Sequence, residues 1–158
     1  MFLFLRYILP AASAIGILVL SSVLAKPVVV TDIAQYSECI GTSANEEYGI
    51  NPEEQLLYDV FPEEINGDTK NFEYIYYNPF DPQYVSYLTV EYDDEEYAAE
   101  MERLGELGIN EDYTKYYSVT GEPEGFNLAA MRADYYYGFG YALIPEEENN
   151  TVTYVGIH

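Results

Sequence analysis

Among the side chains that commonly act in catalysis, the carboxylates of Asp and Glu are the abundant ones in this sequence. The 158 residues include 28 Asp and Glu, but one histidine, His158, and one cysteine, Cys39. Paired carboxylates can hydrolyse glycosides by acid and base catalysis. With so many acids, however, close pairs are inevitable and have no specificity. One imidazole at position 158 is a poor basis for a nucleophile-histidine-acid set or for a hydrolytic zinc site.

Other ligand-binding motifs are equally weak. The nearest match to a glycine-rich nucleotide fingerprint, around Gly138 and Gly140, lies inside a predicted strand and is followed by no helix. The acids at positions 93–96 lack the alternating spacing and central glycine of a calcium loop, and they suit a helix N-terminus. Cys39 is expected to be a small buried apolar side chain. We therefore predict a non-enzymatic protein without a cofactor or a metal site.

The charge of the chain excludes one class of partner. All 28 acidic residues but only four of the six basic residues follow Lys26, so residues 27–158 carry a formal charge of −24. Binding to DNA or RNA depends on Lys and Arg replacing counterions at phosphates. We therefore expect no nucleic-acid partner.

Tyrosine is the most distinctive residue type. Eighteen of the 19 tyrosines follow Lys26, and a row of aromatic residues alternates with small ones near the C-terminal end. Its members are Tyr135, Tyr137, Phe139 and Tyr141. A tyrosine ring offers an apolar face and a polar tip, which suits contact with a protein, but tyrosine is also a common strand former. These four residues are the candidate interaction surface.

The N-terminal segment predicts where the chain works. Residues 7–25, from Tyr7 to Ala25, are 19 uncharged and mostly apolar residues between Arg6 and Lys26. A membrane-spanning helix needs roughly 17–25 such residues. We predict a single-pass anchor at residues 1–26 in the cell membrane, with the N-terminus cytoplasmic and the body, residues 27–158, extracytoplasmic. The alternative is a signal peptide cleaved after Ala25, which would make the protein secreted.

The body reads as one small α+β domain with an antiparallel sheet and one or more packed helices. Alternating patterns predict strands at residues 72–77, 83–92, 113–120, 126–133, 135–144 and 151–158. Short helices are expected after Asp32 and near residues 51–59. The best helix follows Asp93, buries a face of Tyr97, Ala98, Met101, Leu104 and Leu107, and stops at Gly108. The first two strands should pair as a hairpin, as should the last two.

The strand at residues 135–144 has two different faces. One face has five bulky residues, Tyr135, Tyr137, Phe139, Tyr141 and Leu143, and the other has Gly138, Gly140 and Ala142. Either the long helix packs on the smooth glycine face, or the aromatic residues form the core. We favour aromatic residues inward, since five bulky side chains are costly to leave in water.

Three segments together resemble a known kind of protein. They are the hydrophobic N-terminus, the sequence YYNPFDPQY at residues 76–84 and YYGFGYA at residues 136–142. They look like small uncharacterised exported or membrane-tethered proteins of low-GC Gram-positive bacteria. The resemblance implies no activity. It implies a chain that continues past the last strand, so the stop at His158 suggests a truncated product or a partner that covers that edge.

The sequence thus favours a membrane-tethered interaction module that binds a protein or peptide through an aromatic sheet face or an open strand edge. One alternative is a small hydrolase that uses paired carboxylates. Another is a surface protein whose negative charge is stabilised by divalent cations.

Overall fold

The computed structural model describes residues 27–40, 58–77, 83–109, 125–134 and 138–157. Within these ranges, six strands form one antiparallel sheet in the spatial order β1-β2-β3-β6-β5-β4. The strands are β1 Val28–Val30, β2 Asp68–Tyr77, β3 Gln83–Glu91, β4 Phe126–Asp134, β5 Gly138–Pro145 and β6 Thr151–Ile157. A 3-10 helix at Ile33–Gln35 leads into α1, Tyr36–Cys39, and the longer helix α2 spans Asp94–Leu107. The predicted α+β domain with an antiparallel sheet is confirmed.

Both predicted hairpins are present. Strands β2 and β3 pair with Phe72 opposite Leu88, and β5 and β6 pair with Ala142 opposite Tyr154. Strand β6 also pairs with β3, which joins the two hairpins into one sheet. The predicted strand at residues 113–120, most of the predicted helix near residues 51–59 and the N-terminal hydrophobic helix lie outside the described residues.

Helix α2 begins and ends where its sequence predicts. Asp93 accepts hydrogen bonds from the backbone of Glu95 and Glu96, and the Glu96 side chain returns to the backbone N–H of Asp93, which completes a capping box. Gly108 ends the helix with a φ of 65°, a conformation that favours glycine. The predicted buried face is partly wrong, because Ala98 is exposed while Glu100 is buried.

The main hydrophobic core lies between α2, residues 58–61 and one face of the sheet, which we call the near face. Its buried strand residues include Phe72, Tyr74, Leu88, Val90, Ala130, Ala142, Val152 and Tyr154. Leu104 of α2 is 1% exposed against them. Cys39 is completely buried in the same core, as expected of a small apolar side chain.

The prediction that the aromatic residues of β5 point into this core is wrong. Ala142 belongs to the core and Gly140 is buried, whereas Phe139 and Tyr141 are half-buried on the opposite face. The space over the small residues is filled by other aromatic rings. A Cβ atom on Gly156, the partner of Gly140 on β6, would lie 3.2 Å from Tyr58 and 3.3 Å from Phe61. Glycine therefore lets these two rings approach the sheet backbone.

The two edges of the sheet differ. At β4, the backbone N–H of Met131 donates to the carbonyl of Gly108 at 3.1 Å, and Arg132 donates to the carbonyl of Leu107 at 2.7 Å. The chain leaving α2 thus covers part of that edge. At the other edge, β1 is only three residues long, and Val28 and Val29 are about half exposed.

Candidate functional site

The most concentrated polar chemistry lies beneath helix α2. The hydroxyl of Tyr154 donates to Glu100 Oε1 at 2.6 Å and lies 2.8 Å from the hydroxyl of Tyr92. Arg103, one helical turn after Glu100, donates to both carboxylate oxygens at 2.6 and 2.8 Å. We call these four residues the buried polar network.

Arg103 also hydrogen-bonds to the segment of residues 58–61, which precedes β2 in the chain. Its Nη1 donates to the carbonyl of Asp59 and its Nη2 to the carbonyl of Val60, both at 2.8 Å. Burial raises the pKa of Tyr92 to about 12, with the hydrogen bond between Tyr92 and Tyr154 acting against it and the charge of Glu100 adding to it. Burial also raises the pKa of Tyr154, and the neighbouring Tyr92 and Glu100 raise it further. Both hydroxyls therefore stay protonated at neutral pH.

This network is built for stability rather than for catalysis. Glu100 is 8% exposed and both of its oxygens are engaged, so neither is available to a substrate. Sequence reasoning missed the network, although the three-residue spacing of Glu100 and Arg103 is a pairing signal on a helix. Its connection to Tyr92 and Tyr154 had no local signal, because Glu100 of α2 and Tyr154 of β6 are 54 residues apart in the sequence.

Asp59 is the other carboxyl group with altered chemistry. Burial raises its pKa, while the nearby guanidinium groups of Arg132 and Arg103 lower it. The charges that act on the Asp59 carboxyl group are thus those of two cations. Within the described ranges, no group of three or more His, Cys, Asp and Glu side chains could hold a metal ion.

Part of the face of the sheet opposite α2, which we call the far face, is apolar. Residues that pair across antiparallel strands lie side by side on one face. The pairing register places six such residues in one line across the whole sheet: Val29, Ile75, Val85, Ile157, Phe139 and Ala133. We call this line the apolar row. Val29 is 50% exposed and Ile157 is 41% exposed, while the other four members are half-buried.

The next line on the far face contains Glu73, Tyr87, Val155, Tyr141 and Met131. Met131 is completely buried, although it lies outside the main core. The far face is thus most exposed at Val29 on β1 and at Ile157 on β6. The only charged member of the two lines is Glu73.

Two of the four predicted interaction residues lie on this far face. The rings of Phe139 and Tyr141 stack with centroids 5.9 Å apart and an interplanar angle of 10°. Burial raises the pKa of Tyr141. Tyr135 and Tyr137 lie outside the described residues. The aliphatic members of the apolar row were missed, because their alignment depends on the register of strands far apart in the sequence.

A groove lies beside β2, where β1 stops. One wall is formed by residues 31–33 and the other by residues 69–73, and its volume is about 550 Å³. Lys70 belongs to the second wall, and its ammonium group lies 2.8 Å from Asp68 and 2.6 Å from Glu91. Hydrogen bonds to these two carboxylates raise the pKa of Lys70.

Comparison with protein-family models, with curated proteins and with solved structures finds no match. In the part of the chain that the structure describes, none of the helices has the length and apolar character needed to cross a membrane. The predicted anchor, residues 7–25, lies outside that part.

Proposed function

We propose that this chain is a non-enzymatic interaction domain that binds a partner protein through the apolar row of the far face. The observation that supports this function is the composition of the row. It crosses all six strands without a charged side chain, and two of its members, Val29 and Ile157, are 50% and 41% exposed. Contiguous apolar surface of this kind is typical of a protein contact.

The charge of the domain indicates the chemistry of the partner. Residues 27–158 carry a formal charge of −24, so two copies repel each other. Glu73 lies beside the apolar row, and Glu91 lies on the same face of β3. A partner with an apolar patch surrounded by Lys and Arg side chains complements this surface. We therefore propose a cationic protein rather than a second copy.

We also propose that residues 7–25 tether the domain to the cell membrane, with the body outside. This rests on the uncharged run between Arg6 and Lys26 and on the acidic residues that follow it. Mass spectrometry of the mature protein tests the tether directly. An intact N-terminus supports the anchor, whereas a chain that begins at Lys26 identifies a secreted protein.

Two adjacent valines provide a matched test of the binding face. Val29 lies on the far face and Val28 on the near face, and their exposed fractions are 50% and 48%. The full-length chain in a non-ionic detergent is incubated with cell-envelope extract, and captured proteins are quantified for the wild type, Val29→Lys and Val28→Lys. We expect Val29→Lys to lose a cationic partner that Val28→Lys retains.

Two results would contradict this function. Equal capture by the two variants would show that the far face is not the contact surface. Sedimentation of the wild-type chain as a stable dimer, dissociated by Val29→Lys alone, would show that the row is covered by a second copy instead.

A further inference from the structure

The open part of strand β2 offers a second surface, separate from the apolar row. Strand β1 pairs only with residues 74–76 of β2, through Val28, Val29 and Val30. The chain then turns away at Asp32, which caps the 3-10 helix by accepting a hydrogen bond from Ala34 at 3.0 Å. Among the described residues, no strand continues alongside residues 69–73 on this side of β2.

The groove of about 550 Å³ lies along this unpaired stretch. In a β-strand, successive residues direct their backbone N–H and C=O groups to alternate sides. The pairing of β2 with β3 is irregular between Thr69 and Asn71, so this alternation is regular only over residues 71–73. Some of the backbone groups of residues 71–73 therefore point into the groove rather than towards β3. An exposed row of such groups is a template for one more strand.

The side chain that would normally block such an edge is held away from it. Lysine on an edge strand opposes the addition of another strand. The ammonium group of Lys70 is bound by Asp68 and by Glu91, and Glu91 lies on β3, on the other side of β2 from the groove. The ammonium group of Lys70 is thus directed towards β3, although Lys70 itself also lines the groove.

The side chains around the groove define what can enter. Ile33, 38% exposed, lies on the wall opposite β2, and Phe72 of β2 belongs to the near face. Glu73 lies on the far face, opposite Tyr87. A strand added here has its own side chains alternating between these two faces. Apolar side chains would meet Ile33 and Phe72, and basic side chains would meet Glu73.

We propose that the groove binds an extended peptide of alternating apolar and basic residues, which adds to the edge of β2 as a further strand. The peptide's backbone would provide the hydrogen bonds and its alternating side chains the specificity. A second copy of this chain is disfavoured as the occupant because of the charge of −24 on each domain. This site shares Glu73 with the border of the apolar row, but it uses the backbone of β2, which the apolar row does not. Loss of binding by N-methylation of a peptide therefore tests the groove alone, and Val29→Lys tests the apolar row alone.

The test uses the full-length chain in a non-ionic detergent and a fluorescent peptide of about ten residues in which Val and Lys alternate. Binding is measured by fluorescence anisotropy, and protection of residues 69–73 by hydrogen exchange with mass spectrometry. We expect the peptide to bind and to protect this segment. A peptide of the same sequence with N-methyl groups on alternate residues cannot form the backbone bonds, so it should not bind.

Two charge reversals separate the groove from general attraction to an acidic protein. Glu73→Lys, beside the groove, should weaken binding of the Val-Lys peptide about tenfold, because a favourable charge contact becomes a repulsive one. Glu102→Lys makes the same change at an exposed position of α2 and should leave affinity within about twofold.

Three outcomes would overturn the proposal. The first is equal binding of the N-methylated peptide, and the second is an equal effect of the two charge reversals. The third is protection of residues 69–73 that rises with protein concentration in the absence of peptide, which would identify a second copy as the occupant.

Discussion

Replacing Tyr154 with phenylalanine removes one hydroxyl from the buried polar network and leaves the ring in place. That ring packs against Phe61 with centroids 5.7 Å apart, and this contact is unaffected by the change. Two hydrogen bonds are lost, one of 2.6 Å to the carboxylate of Glu100 and one of 2.8 Å to the hydroxyl of Tyr92. The substitution therefore measures the network without opening a large cavity.

The expected loss follows from the two bonds. A buried hydrogen bond to a charged group contributes about 2 kcal/mol and one between neutral groups about 1 kcal/mol. Together they predict that Tyr154→Phe lowers the free energy of unfolding by about 3 kcal/mol. For a domain of this size, that corresponds to a decrease of about 10 °C in Tm.

Urea unfolding followed by far-UV circular dichroism measures this loss, with Tyr87→Phe as the control. Tyr87 lies on β3 and is half-buried on the far face, outside the network, so its change should cost less than about 0.5 kcal/mol. Combining Tyr154→Phe with Glu100→Gln should be less than additive, because both changes break the same bond. A loss below about 1 kcal/mol for Tyr154→Phe, or strict additivity, would refute the assigned role of the network.

Three further measurements test the packing, the helix cap and the buried hydroxyls. Gly156→Ala should destabilise the fold by about 1–3 kcal/mol, since the new Cβ would crowd Tyr58 and Phe61. As a control, Gly105→Ala in α2 should stabilise the fold by up to about 1 kcal/mol, because no atom lies within 4 Å of its new Cβ. Asp93→Ala should lower the free energy of unfolding by about 1 kcal/mol by removing the capping box, and an unchanged urea midpoint would contradict this. Burial raises the pKa of Tyr92 to about 12 and also raises those of Tyr36 and Tyr154, whereas tyrosines of the unfolded chain ionise near pH 10. The unfolded state thus loses protons first, so this stabilisation is complete below about pH 10 and falls by about 1.4 kcal/mol per pH unit for each buried tyrosine as the pH rises towards 12. Urea midpoints that do not change between about pH 9 and pH 11 would contradict the burial of these hydroxyls.

Local signals in the sequence were sufficient to predict helix α2 and the hairpins. The start of α2 at Asp93 and its end at Gly108 depend on capping chemistry within a few residues. The pairing of β2 with β3 follows from the two prolines between them, Pro79 and Pro82, and from alternation on either side. These features are short-range, so a single sequence contains what is needed to predict them.

Which face of β5 points into the core depends on a contact that the sequence does not reveal. Alternation separates Phe139 and Tyr141 from Gly140 and Ala142, but it is symmetric and does not say which face is inward. The smooth face is inward because Tyr58 and Phe61, which are distant in the sequence, fill the space above Gly156 on the neighbouring strand. Bulky residues generally prefer burial, but here Tyr58 and Phe61 already fill the space on the inward face.

The apolar row and the groove were only partly predictable, because both depend on contacts between residues that are distant in the sequence. An aromatic sheet face and an open edge were both expected. The edge was expected at the last strand, and this is wrong, because β6 pairs with β3 on one side and with β5 on the other. The apolar row depends on the pairing of six strands. The groove depends on β1 ending after three residues, beside Tyr74 rather than further along β2. Neither the register of distant strands nor the length of their pairing follows from local alternation.

The central position of β6 constrains the order in which the domain can be assembled during synthesis. This strand is made after the other five, yet it lies between β3 and β5, with Leu88 opposite Tyr154 on one side and Ala142 opposite Tyr154 on the other. Until β6 has emerged, the β2–β3 hairpin and β5 each have an unprotected edge, and the two halves of the sheet cannot join. Folding should therefore be completed late, after synthesis of β6, and should be slow because its decisive contacts are far apart in sequence. Partly synthesised chains will expose these edges and depend on chaperones for that interval.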